Sequence, residues 1–179
     1  MTKLVLESEV FARTGNIAAE GMRNLMGRPA LGLLQTVVRE SVQNSIDAAM
    51  PGTGPSVHVR YRTLVSSERA ALEGRVLFDL PGGPSAKALG ESLGQERLRV
   101  LEICDFGTLG LTGPTRADVP SEGGGPLRFV NFLRNVGSGR SNHQGGGTYG
   151  YGKTVLYSLS RCSLVIVDSL TSRDAQRRL

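Results

Sequence analysis

The stretch Ala30-Leu-Gly-Leu-Leu-Gln-Thr-Val-Val-Arg-Glu40-Ser-Val-Gln-Asn44-Ser-Ile-Asp47-Ala-Ala-Met50 carries two periodic patterns at once. Leu34, Val38, Val42 and Ile46 recur every four residues, which on an α-helix makes one apolar stripe. At ~100° per residue, Glu40, Asn44 and Asp47 share another face, nearly opposite that stripe. The spacing therefore predicts a helix over 30–50, stopped by Pro51 and Gly52, that presents a carboxylate, an amide and a second carboxylate in a row. Taken alone, such a row is ordinarily the solvated side of an amphipathic helix. Its meaning depends on what the rest of the chain brings to it.

Downstream, Val57, Val59 and Tyr61 alternate with His58, Arg60 and Arg62, the period-two pattern of a half-buried strand, and 75–80 reads as a second strand paired with it. The Pro81-Gly-Gly-Pro84 cluster opens a loop that leads to a short helix at 86–93. A compact apolar strand over 98–104 then runs directly into Asp105-Phe106-Gly107. Beyond a Gly-, Thr- and Pro-rich loop, 127–136 reads as a helix, 137–147 as a polar flexible stretch, 153–160 as a short helix and 163–168 as a strand. Residues 1–30 read as an N-terminal arm and a short helix, and 31–179 as one domain of mixed α/β type with no internal repeat.

Length and composition bound the rest. The 179 residues match the usual ~100–200 of one domain, and 39% hydrophobic with 21% charged residues suffices for a folded core. Glycine is in excess, 24 residues in all, about twice the usual ~7%. Without a collagen-like period these glycines belong in turns, caps or ligand loops. The net charge of +5 is interleaved along the chain, which is weak support for a nucleic-acid partner. No apolar run reaches the ~18 residues of a membrane span and no signal-peptide pattern opens the chain, so a cytoplasmic protein with no membrane partner is the expectation. Cys104 and Cys162 lack a Cys-x-x-Cys partner and read as buried core thiols.

Two further segments change the reading of the polar helix face. Asp105-Phe-Gly107, followed by Gly110, ends a buried strand, where a carboxylate can accept from an exocyclic amine and a glycine lets a flat ring approach the backbone. The segment Gly145-Gly-Gly147-Thr-Tyr-Gly150-Tyr151-Gly152-Lys153 is a glycine-dense loop that runs into a helix, where backbone N–H groups favour an anion and phosphate oxygens can come close.

In this order the three elements resemble the GHKL ATPase superfamily of gyrase, the ninety-kilodalton heat-shock chaperones, sensor histidine kinases and mismatch-repair MutL. Glu40-Ser-Val-Gln-Asn44-Ser-Ile-Asp47-Ala48 matches the family's first box, Glu-x-x-x-Asn-x-x-Asp-Ala, at every defined position. Asp105-Phe-Gly107 matches the start of the second box, and Gly147-Thr-Tyr-Gly150-Tyr-Gly152 matches the glycine loop at the end of the ATP lid. The resemblance spans 31–168. It implies an α/β two-layer sandwich of Bergerat type, with helices on one face of a mixed, mostly antiparallel sheet and an ATP lid at 137–152. It also implies roles: Glu40 as the general base that polarises the attacking water, Asn44 as the Mg²⁺ ligand, and Asp47 as support near the base end of the nucleotide. Asp105 would accept from the adenine amino group and Gly107 would flank the ring. The loop of Gly147, Gly150, Tyr151, Gly152 and Lys153 would cradle the phosphates.

The branch and the departures are also legible. A Glu at position 40 resembles the water-activating, hydrolytic branch rather than the kinases. The second box usually reads Asp-x-Gly-x-Gly, whereas here its second glycine is displaced to Gly110. The resemblance implies slow Mg²⁺-dependent ATP hydrolysis that drives lid closure and homodimerisation, in the N-terminal part of a larger ATPase. It does not choose among chaperone action, DNA repair, topology change and defence, since fold does not fix function; the basic balance leans toward DNA reached through other regions or partner subunits.

Two alternatives stand beside it. Gly147-Thr-Tyr-Gly-Tyr-Gly152-Lys153-Thr154 also satisfies the P-loop pattern, with Leu164-Val-Ile-Val-Asp168 as a Walker B mimic. A P-loop follows a buried strand, however, and the residues before this loop, 139–144, are polar. The other alternative is a nucleotide-binding interaction module with no turnover.

Overall fold

The computed structural model describes residues 32–79, 84–121, 124–133, 151–172 and 175–178. Their elements, in chain order, are α1 (Leu33–Asp47), β1 (Ser56–Thr63), α2 (Ser66–Ala71), a π-helical turn (Leu72–Val76) and α3 (Pro84–Leu93). These are followed by β2 (Arg99–Phe106), α4 (Arg128–Leu133), α5 (Tyr151–Leu159), β3 (Ser169–Leu170) and β4 (Arg177–Arg178). β1 pairs with β2 and β3 with β4. The chain is of mixed α/β type with small antiparallel strand pairs. None of the described helices is long and apolar enough to cross a membrane.

The chain divides into two compact units, one containing Arg60–Leu101 and the other the described residues up to Val59 and from Glu102 onward. In the unit containing Arg60–Leu101, charged side chains organise the helices. The Arg62 guanidinium grips the Glu68 carboxylate through both terminal nitrogens, at 2.6 and 2.9 Å, and Glu68 also accepts from the Val65 N–H at the start of α2. Arg69 donates to Glu73, one turn along, and to the Leu93 and Gln95 carbonyls at and just beyond the end of α3. Such a fork satisfies carbonyls that a helix C-terminus leaves open. The Arg62 guanidinium holds the Glu68 carboxyl below its ordinary value. Among the described residues, Leu89 is the buried apolar one here, and an open cleft is lined by Thr63, Glu91, Gly94, Gln95, Arg97 and Arg99 among others.

The other unit contains α1, the start of β1, the end of β2, and everything from Glu102 onward. α1 packs on α5, and among the described residues the buried centres of this unit are Val37, Val130 and Val155 with the polar Ser45, Thr112 and Thr171. A C-terminal hairpin closes the loop that follows β2. Thr171 N–H donates to the Gln176 carbonyl at 2.9 Å, while Gln176 N–H donates to Thr171 Oγ1 at 3.0 Å. Arg178 reaches from β4 to the Leu111 and Gly113 carbonyls, both at 2.7 Å, and lies over the Phe129 ring at 5.5 Å.

Several sequence expectations change. The stretch expected as a strand over 75–80 is instead the end of the π-helical turn and a bend through Asp79. The expected strand over 163–168 has no regular structure, and a short strand follows it at Ser169–Leu170. Val59 and Tyr61 are exposed, so the alternation in β1 does not translate into a buried face within the described residues. Cys104 and Cys162 are free thiols, as expected, but half-buried rather than buried. The arm over 1–30 and most of the lid, including Gly147 and Gly150, lie outside the described residues.

Two measurements test this account. Arg178→Ala removes a charged donor from two carbonyls and a cation from an aromatic face, so about 2 kcal/mol of stability is lost. Thermal unfolding is expected to fall by roughly 4–8 °C. Asp168 offers a second check, because both its oxygens accept from Arg177 at 2.6 and 3.0 Å, and that pairing lowers its carboxyl from the ordinary value of 3.8. The lowered group stabilises the fold above pH 3.8 and loses that contribution as pH falls through its folded value. The pair is largely exposed, so the effect is small. In an NMR titration Arg177→Ala moves the Asp168 midpoint up toward 3.8; an unmoved midpoint contradicts the assignment.

Candidate functional site

The helix expected over 30–50 is present as α1, but it turns a different face inward. Val37 and Ser45 are its buried residues, whereas Leu34 and Ile46, the ends of the apolar stripe, are each 53% exposed. Ser45 lies two turns beyond Val37, and Ser41 stands between them on the same line. Small hydroxyl residues let a neighbouring backbone approach where leucine-sized side chains would hold it off. The polar row of Glu40, Asn44 and Asp47 therefore borders the buried face at one end and leaves it at the other. The Glu40 side chain is 12% exposed and 3.7 Å from the Arg39 guanidinium. Asn44 is half-buried. Asp47 is exposed and accepts from Gln43 Nε2 at 3.0 Å.

The end of α1 is tied to the end of β2 by backbone bonds. The Gly107 carbonyl accepts from Met50 N–H at 2.9 Å and the Ala48 carbonyl from Leu109 N–H at 2.8 Å, around an antiparallel bridge between Ala49 and Thr108. A side-chain bond joins the same two segments a step earlier: Ser45 Oγ, on a residue 3% exposed, lies 3.0 Å from Asp105 Oδ2. Asp105 and Phe106 themselves face outward, and the His58 ring meets the Phe106 ring edge-on at 5.5 Å. An acidic acceptor, an exposed aromatic ring and a half-buried carboxylate–amide pair thus belong to one unit of the fold.

The glycines of this corner have different tasks. Gly107 has φ +73°, and a Cβ there would come 3.3 Å from the Gly54 carbonyl oxygen. It makes the turn that aims its own carbonyl at Met50. Gly110, with φ +69°, lies against the C-terminal hairpin, where a Cβ would stand 2.5 Å from the Leu170 carbonyl oxygen. Its lack of a side chain serves packing against that hairpin. Nearby, Ser169 Oγ accepts from Leu111 N–H at 2.9 Å and the Leu109 carbonyl accepts from Ser172 N–H at 3.2 Å.

The glycine loop enters as the first turn of α5, which begins at Tyr151 and so includes Gly152 and Lys153 in its backbone. The side chains of Tyr151 and Lys153 lie outside the described residues, as do Gly147 and Gly150. The packing of α5 on α1 brings the third motif's helix alongside the first motif's helix. The segment that mimics a Walker B strand is irregular, and its Asp168 carboxylate is held by Arg177. Among the described residues, no group of three or more His, Cys, Asp and Glu side chains gathers to hold a metal ion.

The sequence did not single out Ser45 or the Ala48–Met50 pairing. The available signal was modest: a serine aligned with Val37 and Ser41 on a helix whose apolar stripe lies elsewhere. No family model, curated protein or solved structure matches the chain.

Because Gly110 combines a positive φ with a backbone oxygen at its missing side chain, Gly110→Ala is expected to cost about 2 kcal/mol or more. Denaturant titration checks it: a lower midpoint with an unchanged slope is expected, and a loss under about 0.5 kcal/mol would contradict the close approach.

Proposed function

We propose that this chain is an ATP-binding module of GHKL type that binds ATP with Mg²⁺ and hydrolyses it slowly. The observation that carries the reading is the junction of two motifs 60 residues apart, joined by the Ser45–Asp105 contact and the backbone bridge beside it. Motif matches by chance have no reason to become neighbours. The packing of α5 on α1 is a second support, since the glycine loop leads into α5. A Bergerat-type two-layer sandwich is the architecture this reading requires, and the mixed α/β build is compatible with it.

On this reading Asp105 accepts from the adenine amino group and the exposed edge at Phe106 and Gly107 borders the ring. The N–H groups of the α5 start, at Tyr151, Gly152 and Lys153, favour the phosphates, as a helix N-terminus does for anions. Glu40, sheltered from solvent, holds and polarises the attacking water. Asn44 fits Mg²⁺ in donor chemistry, because its amide offers a hard oxygen and Mg²⁺ takes only one or two protein ligands besides phosphate and water. The ion, when bound, supplies charge neutralisation at the phosphates. Asp47, near the junction with β2, supports the helix end. Lid closure over the nucleotide and ATP-dependent homodimerisation belong to the same reading, as does a DNA-linked role through other regions.

Steady-state hydrolysis and nucleotide binding by the wild type, Glu40→Ala, Asp105→Ala and Lys153→Ala test it. Slow Mg²⁺-dependent turnover is expected. Glu40→Ala should lower kcat by about 10² or more, the usual scale for a general base, while ATP still binds. Asp105→Ala should weaken binding by about tenfold or more. Full turnover in Glu40→Ala, with binding and turnover both abolished in Lys153→Ala, would point to the P-loop instead. A wild type that binds ATP and never hydrolyses it, even as a dimer, would identify a non-hydrolysing module.

A further inference from the structure

Ser45 Oγ carries one proton and faces two acceptors. Asp105 Oδ2 and the Ser41 carbonyl oxygen are each 3.0 Å away. A helix-interior carbonyl such as that of Ser41 already accepts from the N–H four residues on, whereas a carboxylate oxygen is the stronger acceptor. The proton therefore goes to Asp105. Ser45 is 3% exposed, so water does not compete for that hydroxyl, while the residue it holds, Asp105, is exposed. A buried, fixed donor thus fastens one oxygen of an outward-facing acid. Backbone bonds on either side of the Ala49–Thr108 bridge prevent the two segments from drifting apart.

We propose that Ser45 is a positioning residue for base recognition: by holding Oδ2, it aims Oδ1 of Asp105 at the amino group of the nucleotide base. The inference rests on the reading of the chain as an ATP-binding module and adds to it the residue that sets selectivity for an amino-bearing base. With the hydroxyl in place the carboxylate is pre-organised, so binding does not have to restrict its rotation. Without it the acid hydrates and turns, and the amino group loses its advantage over a hydrogen. Ser45 follows Asn44 directly in α1, so the base end and the proposed phosphate end are fixed by consecutive residues of one helical turn.

The test compares ATP with purine riboside triphosphate, which lacks only the 6-amino group, by calorimetry on the full chain. The wild type should bind ATP about tenfold more tightly than the analogue, the worth of one hydrogen bond to a charged group. In Ser45→Ala that ratio should fall at least threefold, mainly through weaker ATP binding. Ser45→Thr, whose hydroxyl can occupy the same place, should restore it. A purely structural role would weaken both ligands alike and leave the ratio standing, so an unchanged ratio in Ser45→Ala overturns the inference while the ATP-binding reading survives. If Ser45→Ala does not fold, Ser45→Cys keeps the volume with a weaker donor; a reduced ratio then supports the proposal and a full one overturns it. A wild type that binds both ligands equally, or neither, removes the adenine assignment itself and the role of Ser45 with it.

Discussion

The short backbone ladder between Ala48–Met50 and Gly107–Leu109 is the constraint on which this corner of the fold depends. It ends α1 and β2 at the same place and removes their freedom to slide past one another. Each bond is worth only about 1 kcal/mol net, yet the geometric consequence is large. Apolar side-chain packing does not set the register between helix and strand here, because the strand end, Asp105-Phe106, is exposed. The register is set by main-chain groups that have to be paired in any event. Gly107 makes this possible by accepting a positive φ that turns its carbonyl toward Met50.

Outside that ladder the same economy recurs. The loop after β2 is held less by apolar burial than by polar atoms that find main-chain partners, with Ser169, Ser172 and Arg178 satisfying groups between Leu109 and Gly113. Thr112 and Thr171, both buried, are polar. Two glycines of this loop, Gly110 and Gly113, are explained by it: a segment built by backbone–backbone approach needs positions without side chains. Gly110 illustrates it, since the atom nearest its missing Cβ is a carbonyl oxygen of the hairpin.

What was legible in the sequence was whatever follows from local periodicity and chain punctuation. α1, α3, α5 and β2 fall close to where the patterns placed them. The failures share a cause. The strands expected over 75–80 and over 163–168 rest on short apolar runs, and periodicity alone does not fix the structure of such runs. In the first, the chain continues from α2 as a π-helical turn, and the Arg69–Glu73 bond joins α2 to that turn. In the second, Asp168 turns to Arg177 across the hairpin. The stripe of α1 failed differently. Its four-residue spacing identifies a helix, but the buried side is chosen by what arrives from elsewhere, and the neighbours fit best against Val37 and Ser45. Long-range approach of this kind leaves no local signature.

The site shows the same division. Glu40, Asn44, Asp47 and Asp105 stand out as candidates by type and spacing, because chemistry restricts which residues suit such roles. Ser45 was not, because its contribution consists of a partner 60 residues away. A serine inside a helix normally bonds the preceding turn's carbonyl and slightly weakens the helix. Here the same rotamer also meets an acid, and that second contact turns a mild helix liability into a link between segments. Polar residues on the buried face of a helix are therefore worth weighing against the strand ends they can reach. The apolar stripe of α1 identified the helix, whereas its buried hydroxyl, the less conspicuous feature, records which strand end the helix meets.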